Sequence, residues 1–195
     1  MIINNNLHVL KFFADNKEKT FTILKAAEYL RTNYRIVYEE IMKLGKEGLI
    51  KIIKQGNANV CTFTYTYTSK IVAIEELRKQ EVLKNRDILL LYTRVKEVTS
   101  PFYCFILFGS YANKTNRKNS DIDVCLITDY PMIQKKINSL LSVTPLPLHL
   151  QEFSSEEFRS MLKSKGFNVG NEILRNNIVL YGLESFIELI KNAER

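Results

Sequence analysis

The residue types best able to do chemistry lie between Phe108 and Val124, where a Gly109-Ser110 pair and an Asp121-Ile122-Asp123 run stand at the two ends of one short loop. Glycine lets a backbone approach an anion closely, serine adds a hydroxyl donor, and the amides of a turn that follows a strand point the same way. Side chains alternate along a strand, so Asp121 and Asp123 share a face, about 7 Å apart at the backbone, while Ile122 and Val124 turn into the sheet. Two carboxylates so placed offer the hard oxygens that Mg²⁺ prefers. Either element alone is commonplace, a plain turn or a solvated acidic face. Together they suit a metal-bound triphosphate.

The full string, Gly109, Ser110, Ala112, Ser120, Asp121 and Asp123 in this order and spacing, resembles the signature of the polymerase-beta-type nucleotidyltransferase superfamily. The resemblance extends over residues 100 to 182, the size of a minimal domain of that family. It implies transfer of a nucleoside monophosphate from an NTP, with ATP the expected nucleotide and pyrophosphate the leaving group. Asp121 and Asp123 would hold Mg²⁺, Gly109 and Ser110 the β and γ phosphates, and Ser120, Lys114 and Arg117 would add nucleotide contacts. Such transfer asks the protein for positioning and charge neutralisation more than covalent chemistry, and Mg²⁺ with the loop cations Lys114, Arg117 and Lys118 would supply it. A solvated basic loop is the competing account of each cation taken singly.

The family also uses a third carboxylate on the next strand, as metal ligand and as base, and here the chain departs from the pattern. That strand reads Leu146 to Phe153 and has no Asp in its middle. One face carries Leu146, Leu148, Leu150 and Glu152, the other Pro147, His149, Gln151 and Phe153. Either Glu152 reaches the site through a bulge as the third catalytic carboxylate, or the third acid is missing. His149 can in principle act as a base, although a hydrogen-bonded structural histidine is the commoner case.

The elements that must position these residues read as an α/β (α+β) domain, a small mixed sheet flanked by helices. Phe102 to Phe108 and Asp121 to Thr128 are short, apolar and strand-like, and Tyr130 to Val143 has the pattern of a helix between two strands. Ser154-Ser155-Glu156-Glu157 is a capping box ahead of a helix ending near Gly166. A helix over Val169 to Asn176, a strand over Ile178 to Tyr181 and a helix over Leu183 to Ala193 complete the domain, assigned to residues 100–195.

Residues 1–70 differ in character, with 11 Lys and Arg against 6 Asp and Glu, so most of the chain's net +7 lies there. Helices over Asn6 to Asp15, Ile23 to Leu30 and Tyr34 to Gly45 precede strands over Leu49 to Lys54 and Val60 to Tyr67. Val37, Ile41 and Leu44 recur at helical spacing and should face a core. Three helices and a basic hairpin resemble the winged helix-turn-helix module. The resemblance implies double-stranded DNA binding, with Asn33, Tyr34, Arg35 and Tyr38 near bases and Lys51 and Lys54 near phosphates. Such folds also serve in protein docking. The Phe63, Tyr65, Tyr67 stripe at strand period reads as one packed or dimer-facing side.

Residues 71–99 hold no Gly or Pro and read as one long linker helix, packed on one domain or paired with a second copy in a homodimer. No run is long and apolar enough for a membrane span and no secretory leader is evident, so a cytoplasmic protein is expected. Cys61, Cys104 and Cys125 are odd in number and far apart, which speaks for buried thiols rather than zinc or disulfides. Two functions follow. One is a Mg²⁺-dependent nucleotidyltransferase whose acceptor is a protein, a small molecule or a nucleic acid, resembling minimal nucleotidyltransferases that act as antitoxins on a partner toxin. The other is a DNA-binding regulator whose degenerate transferase domain senses nucleotide.

Overall fold

Side-chain caps set the first elements. Thr22 accepts from the Lys25 amide at 3.2 Å and starts a helix at Ile23, and Arg31, in the left-handed region with φ 50°, closes it after Leu30. Asn33 then accepts from the Arg35 amide at 2.9 Å and opens the next. The computed structural model describes residues 5–118, 120–164 and 166–193. It divides the chain into two compact units, Met1–Ile74 and Glu75–Arg195.

In the first unit α1 (Asn5–Ala14), α2 (Ile23–Leu30) and α3 (Tyr34–Lys46) accompany a sheet of β1 (Phe21–Thr22), β2 (Ile50–Gln55) and β3 (Ala58–Phe63) in the order β1-β3-β2. Val37, Ile41 and Leu44 are fully buried, as their spacing predicts, and meet a core that includes Val9, Leu10 and Phe13. Gln55 pairs with Ala58, so the hairpin closes through Gly56-Asn57 alone, tighter than the five-residue connection expected. Strand β3 ends at Phe63, so the expected aromatic stripe shortens to Phe63 and Tyr65, whose rings pack edge-on with centroids 5.1 Å apart, while Tyr67 is exposed. The Tyr65 hydroxyl also meets Lys17. The two-residue β1 carries no sequence signal of its own and exists through its pairing with β3.

The expected single linker helix is two helices, α4 (Ser69–Val82) and α5 (Arg86–Lys96). Asn85 breaks the run by turning its side chain onto the Asp87 and Ile88 amides, at 2.9 and 3.2 Å, a polar group that competes with the helix and so starts a new one. Ile88, Leu91 and Val95 of α5 are buried in the core of the second unit, so α5 belongs to that unit and is not a spacer. Ile71 and Ile74 of α4 are also fully buried within the chain, while Val72 of α4 and Leu89 and Leu90 of α5 are exposed.

The second unit is a mixed sheet in the order β6-β5-β4-β7, from β4 (Cys104–Phe108), β5 (Ile122–Ile127), β6 (Leu148–Phe153) and β7 (Asn177–Tyr181). β4 runs antiparallel to both β5 and β7, while β5 and β6 are parallel and joined through α7 (Pro131–Ser142). Phe105, Leu107, Val124 and Leu126 share one face with Ile137 and Leu141 of α7 and with α5. The short α6 (Gly109–Ala112), α8 (Ser155–Lys163), α9 (Val169–Arg175) and α10 (Leu183–Ala193) complete the unit. The capping box is formed as read, Ser154 and Glu157 bonding reciprocally, and those bonds hold the Glu157 carboxyl below its usual range. Gly182, at φ 77°, must be glycine, because a Cβ there would lie 2.2 Å from the Tyr103 carbonyl oxygen. Among the described residues no helix is long and apolar enough to cross a membrane.

Candidate functional site

All five residues of β4 are buried, and this anchored strand delivers Gly109 to the surface at the turn into α6. Gly109 has φ 64°, and a Cβ on it would stand 2.3 Å from Oδ2 of Asp123. The turn and the second aspartate of the motif therefore lie in direct contact, across the loop that separates them in sequence. Asn113 and Thr115 return amide bonds to the carbonyls of Gly109 and Ser110, at 3.1 and 2.9 Å, and hold the turn's shape.

On β5 the predicted alternation holds. Ile122 and Val124 are fully buried, Asp121 is exposed directly ahead of the strand, and the Asp123 side chain is 27% exposed. The parallel register sets His149 opposite Asp123 and Gln151 opposite Cys125. His149 Nδ1 lies 3.1 Å from Asp123 Oδ1, and Gln151 Nε2 lies 3.0 Å from His149 Nε2. A neutral ring with its proton on Nδ1 satisfies both contacts, donating to the carboxylate and accepting from the amide.

Glu152 is not at this site. The register runs without interruption from Ile122↔Leu148 to Ile127↔Phe153, so the bulge that would bring Glu152 round is absent. Strand alternation turns the side chain to the α7 side, where it accepts from Asn138 at 2.9 Å. Among the described residues no group of three or more His, Cys, Asp and Glu side chains is arranged to hold a metal ion. Asp121 and Asp123 are both accessible and could offer carboxylate oxygens, the ligand type that Mg²⁺ prefers, to a cation.

The loop contributes less directly than its sequence suggests. Ser120 accepts from the Arg117 amide at 2.8 Å and returns its own amide to the Arg117 carbonyl, so its hydroxyl closes the loop. Lys114, at φ 58°, pairs with Glu81 of α4 at 3.0 Å, while Arg117 and Lys118 are exposed. Sequence reading missed Glu81, and it missed the buried pair Arg78–Glu75, whose guanidinium also donates to the Asn177 carbonyl at 2.8 Å. Asn177 pairs with Phe108, one residue before the turn, so this contact steadies the strand beside the site. The Lys114–Glu81 and Arg78–Asn177 contacts, between residues 33 and 99 apart, leave no local signal.

In the first unit Asn33 serves as the α3 cap, and Arg35 pairs with Glu39 at 3.1 Å on an open face. Tyr34 and Tyr38 lie close together, ring centroids 6.1 Å apart and both exposed. Lys51 and Lys54 are exposed on β2, at positions of opposite strand parity. The three cysteines are buried free thiols, and burial pushes Cys61 up to about 11, Cys104 up to about 12 and Cys125 higher still.

Residues 94–170 match the family model of the nucleotidyltransferase domain. That stretch runs from the end of α5 into α9 and contains Gly109, Ser110, Asp121, Asp123 and His149. No curated protein matches the chain. A crystal structure of a toxin-antitoxin with AMP-PNP aligns with 56% of this chain and 82% of its own, at 15% identity and a TM-score of 0.36.

Proposed function

We propose that the second unit binds an NTP with Mg²⁺ and transfers its nucleoside monophosphate to an acceptor. The observation that carries this reading is the contact of the Gly109 turn with the Asp123 carboxylate, inside the stretch that resembles nucleotidyltransferases. In this reading the Gly109 and Ser110 amides and the Ser110 hydroxyl hold the β and γ phosphates, and Asp121 and Asp123 hold the cation. Bound Mg²⁺ supplies charge neutralisation at the phosphates. Arg117 lies on the same loop, and Lys114 can leave Glu81 for phosphate at little cost, because exposed ion pairs contribute only about 0–1 kcal/mol. A partner protein is the first acceptor to try, ahead of small molecules and nucleic acid.

The first unit is proposed as a winged helix that binds duplex DNA. Its element order and its β1-β3-β2 sheet support that reading, as does its surplus of Lys and Arg. Arg35 would exchange Glu39 for a base edge, while Lys51 and Lys54 would meet phosphates.

A second reading is favoured by one observation, the neutral pair His149 and Gln151 where the family has an acid. It is a DNA-binding regulator in which NTP occupancy, without turnover, tunes affinity. Incubation of the full chain with labelled ATP, CTP, GTP or UTP, Mg²⁺ and candidate acceptors separates the two. Label transferred to an acceptor is expected; nucleotide retained unmodified, together with NTP-dependent DNA affinity, would replace the first reading by the second. Fluorescence anisotropy against duplex DNA checks the first unit. Lys51→Ala and Lys54→Ala should each lower the salt slope by about one unit, and no binding at low salt would leave the unit a docking device.

A further inference from the structure

We infer that His149 stands in the place of the third carboxylate and that the site therefore takes one divalent cation per nucleotide, the one carried in with the triphosphate. The inference rests on the nucleotide reading above and goes beyond it in the number of ions held and in the residue that sets it.

The two oxygens of Asp123 face different partners. Oδ2 lies against Gly109, on the side assigned to the phosphates, so a cation bound there is shared between carboxylate and triphosphate. Oδ1 faces β6, where His149 already occupies it at 3.1 Å. A second ion, about 3.5–4 Å from the first in two-metal sites, would need carboxylate oxygen on that β6 side. What β6 presents there is an imidazole and, beyond it, the Gln151 amide at 3.0 Å. Mg²⁺ strongly prefers oxygen ligands to imidazole nitrogen, and neither side chain brings the negative charge that offsets repulsion between two divalent ions. The acid nearest in sequence, Glu152, is engaged by Asn138 on the other face.

The same register identifies the single change that should restore the pair. An acid at position 149 lies directly opposite Asp123 on a strand that is already in place. His149→Asp should therefore admit a second cation and raise the rate of transfer.

Metal stoichiometry tests this without reference to activity. The full chain is dialysed against Mg²⁺ and an NTP analogue whose α,β bridge cannot be cleaved, and bound magnesium is counted per bound nucleotide. Wild type should hold one and His149→Asp two. With Mn²⁺ as the probe, electron paramagnetic resonance should give an uncoupled signal for wild type and a spin-coupled signal for the variant. Two ions in wild type would overturn the inference while leaving the nucleotide reading intact, and one ion in a folded His149→Asp protein would overturn the role given to His149. Failure of wild type to bind the analogue would remove the nucleotide reading and this inference with it. Melting curves report whether the variant folds, and the wild-type count decides the cation number in either case.

Discussion

Strands β5 and β6 lie side by side in one sheet, parallel and in unbroken register, yet one presents Asp123 at the site and the other His149. Their burial differs: β5 is buried at every position except Asp123, whereas β6, at the sheet edge, keeps all six residues at least partly exposed. The β5 end carries two acids, Asp121 and Asp123, while the β6 end carries an imidazole and an amide linked to Asp123 by hydrogen-bond contacts. Sheet geometry therefore constrains the position of these side chains far more than their chemistry.

The strongest test of the β5 side is Gly109→Val. It adds a Cβ at a position 2.3 Å from Asp123 and forces a β-branched residue to positive φ, a strain of about 1–3 kcal/mol. Nucleotide affinity by calorimetry should fall at least about 100-fold, because the backbone can no longer approach the phosphates. Retained affinity would separate the turn from the site.

Next in size, Asp121→Asn and Asp123→Asn should each weaken Mg-NTP binding by about 10- to 100-fold, with melting temperature unchanged or raised, since two like charges are relieved. Unchanged affinity in both would mean that β5 is as inert as β6. Ser110→Ala should cost one hydrogen bond to a charged partner, about 1.5–3 kcal/mol of nucleotide binding.

The smallest effect sharpens the comparison from the β6 side. Glu152→Ala should leave nucleotide affinity and transfer unchanged and lower stability by about 0.5–1.5 kcal/mol in urea unfolding, through the lost bond from Asn138. A collapse of activity in this variant would restore Glu152 to the site.

Local patterns carried the helices and the alternation of β5. The bounds Ile23–Leu30 and Leu183–Ala193 coincide with those read from the sequence, the first helix opening after the Thr22 cap and the second directly after Gly182. The break at Asn85 was overlooked because asparagine inside an apolar periodicity looks like a solvated helix position until its side chain is seen on the following amides. Of the candidate site, Gly109 and Asp123 were legible through spacing. Whether a bulge turns Glu152 off the apolar face that alternation gives it depended on a register that only pairing with β5 defines. Lys114–Glu81 and Arg78–Asn177, 33 and 99 residues apart, are products of the tertiary fold alone.

The Arg78 contact also orders events in time. Its partner carbonyl belongs to Asn177, 99 residues further along the chain, and Asn177 opens the strand that covers the second edge of β4. While β7 is still inside the ribosome, β4 presents on that side a bare row of amides and carbonyls, the kind of edge that recruits foreign strands. Native assembly of the second unit thus waits for β7 to emerge, with synthesis proceeding at about 5–20 residues per second. Nascent chains stalled or truncated in this interval are the species that holdase chaperones should find.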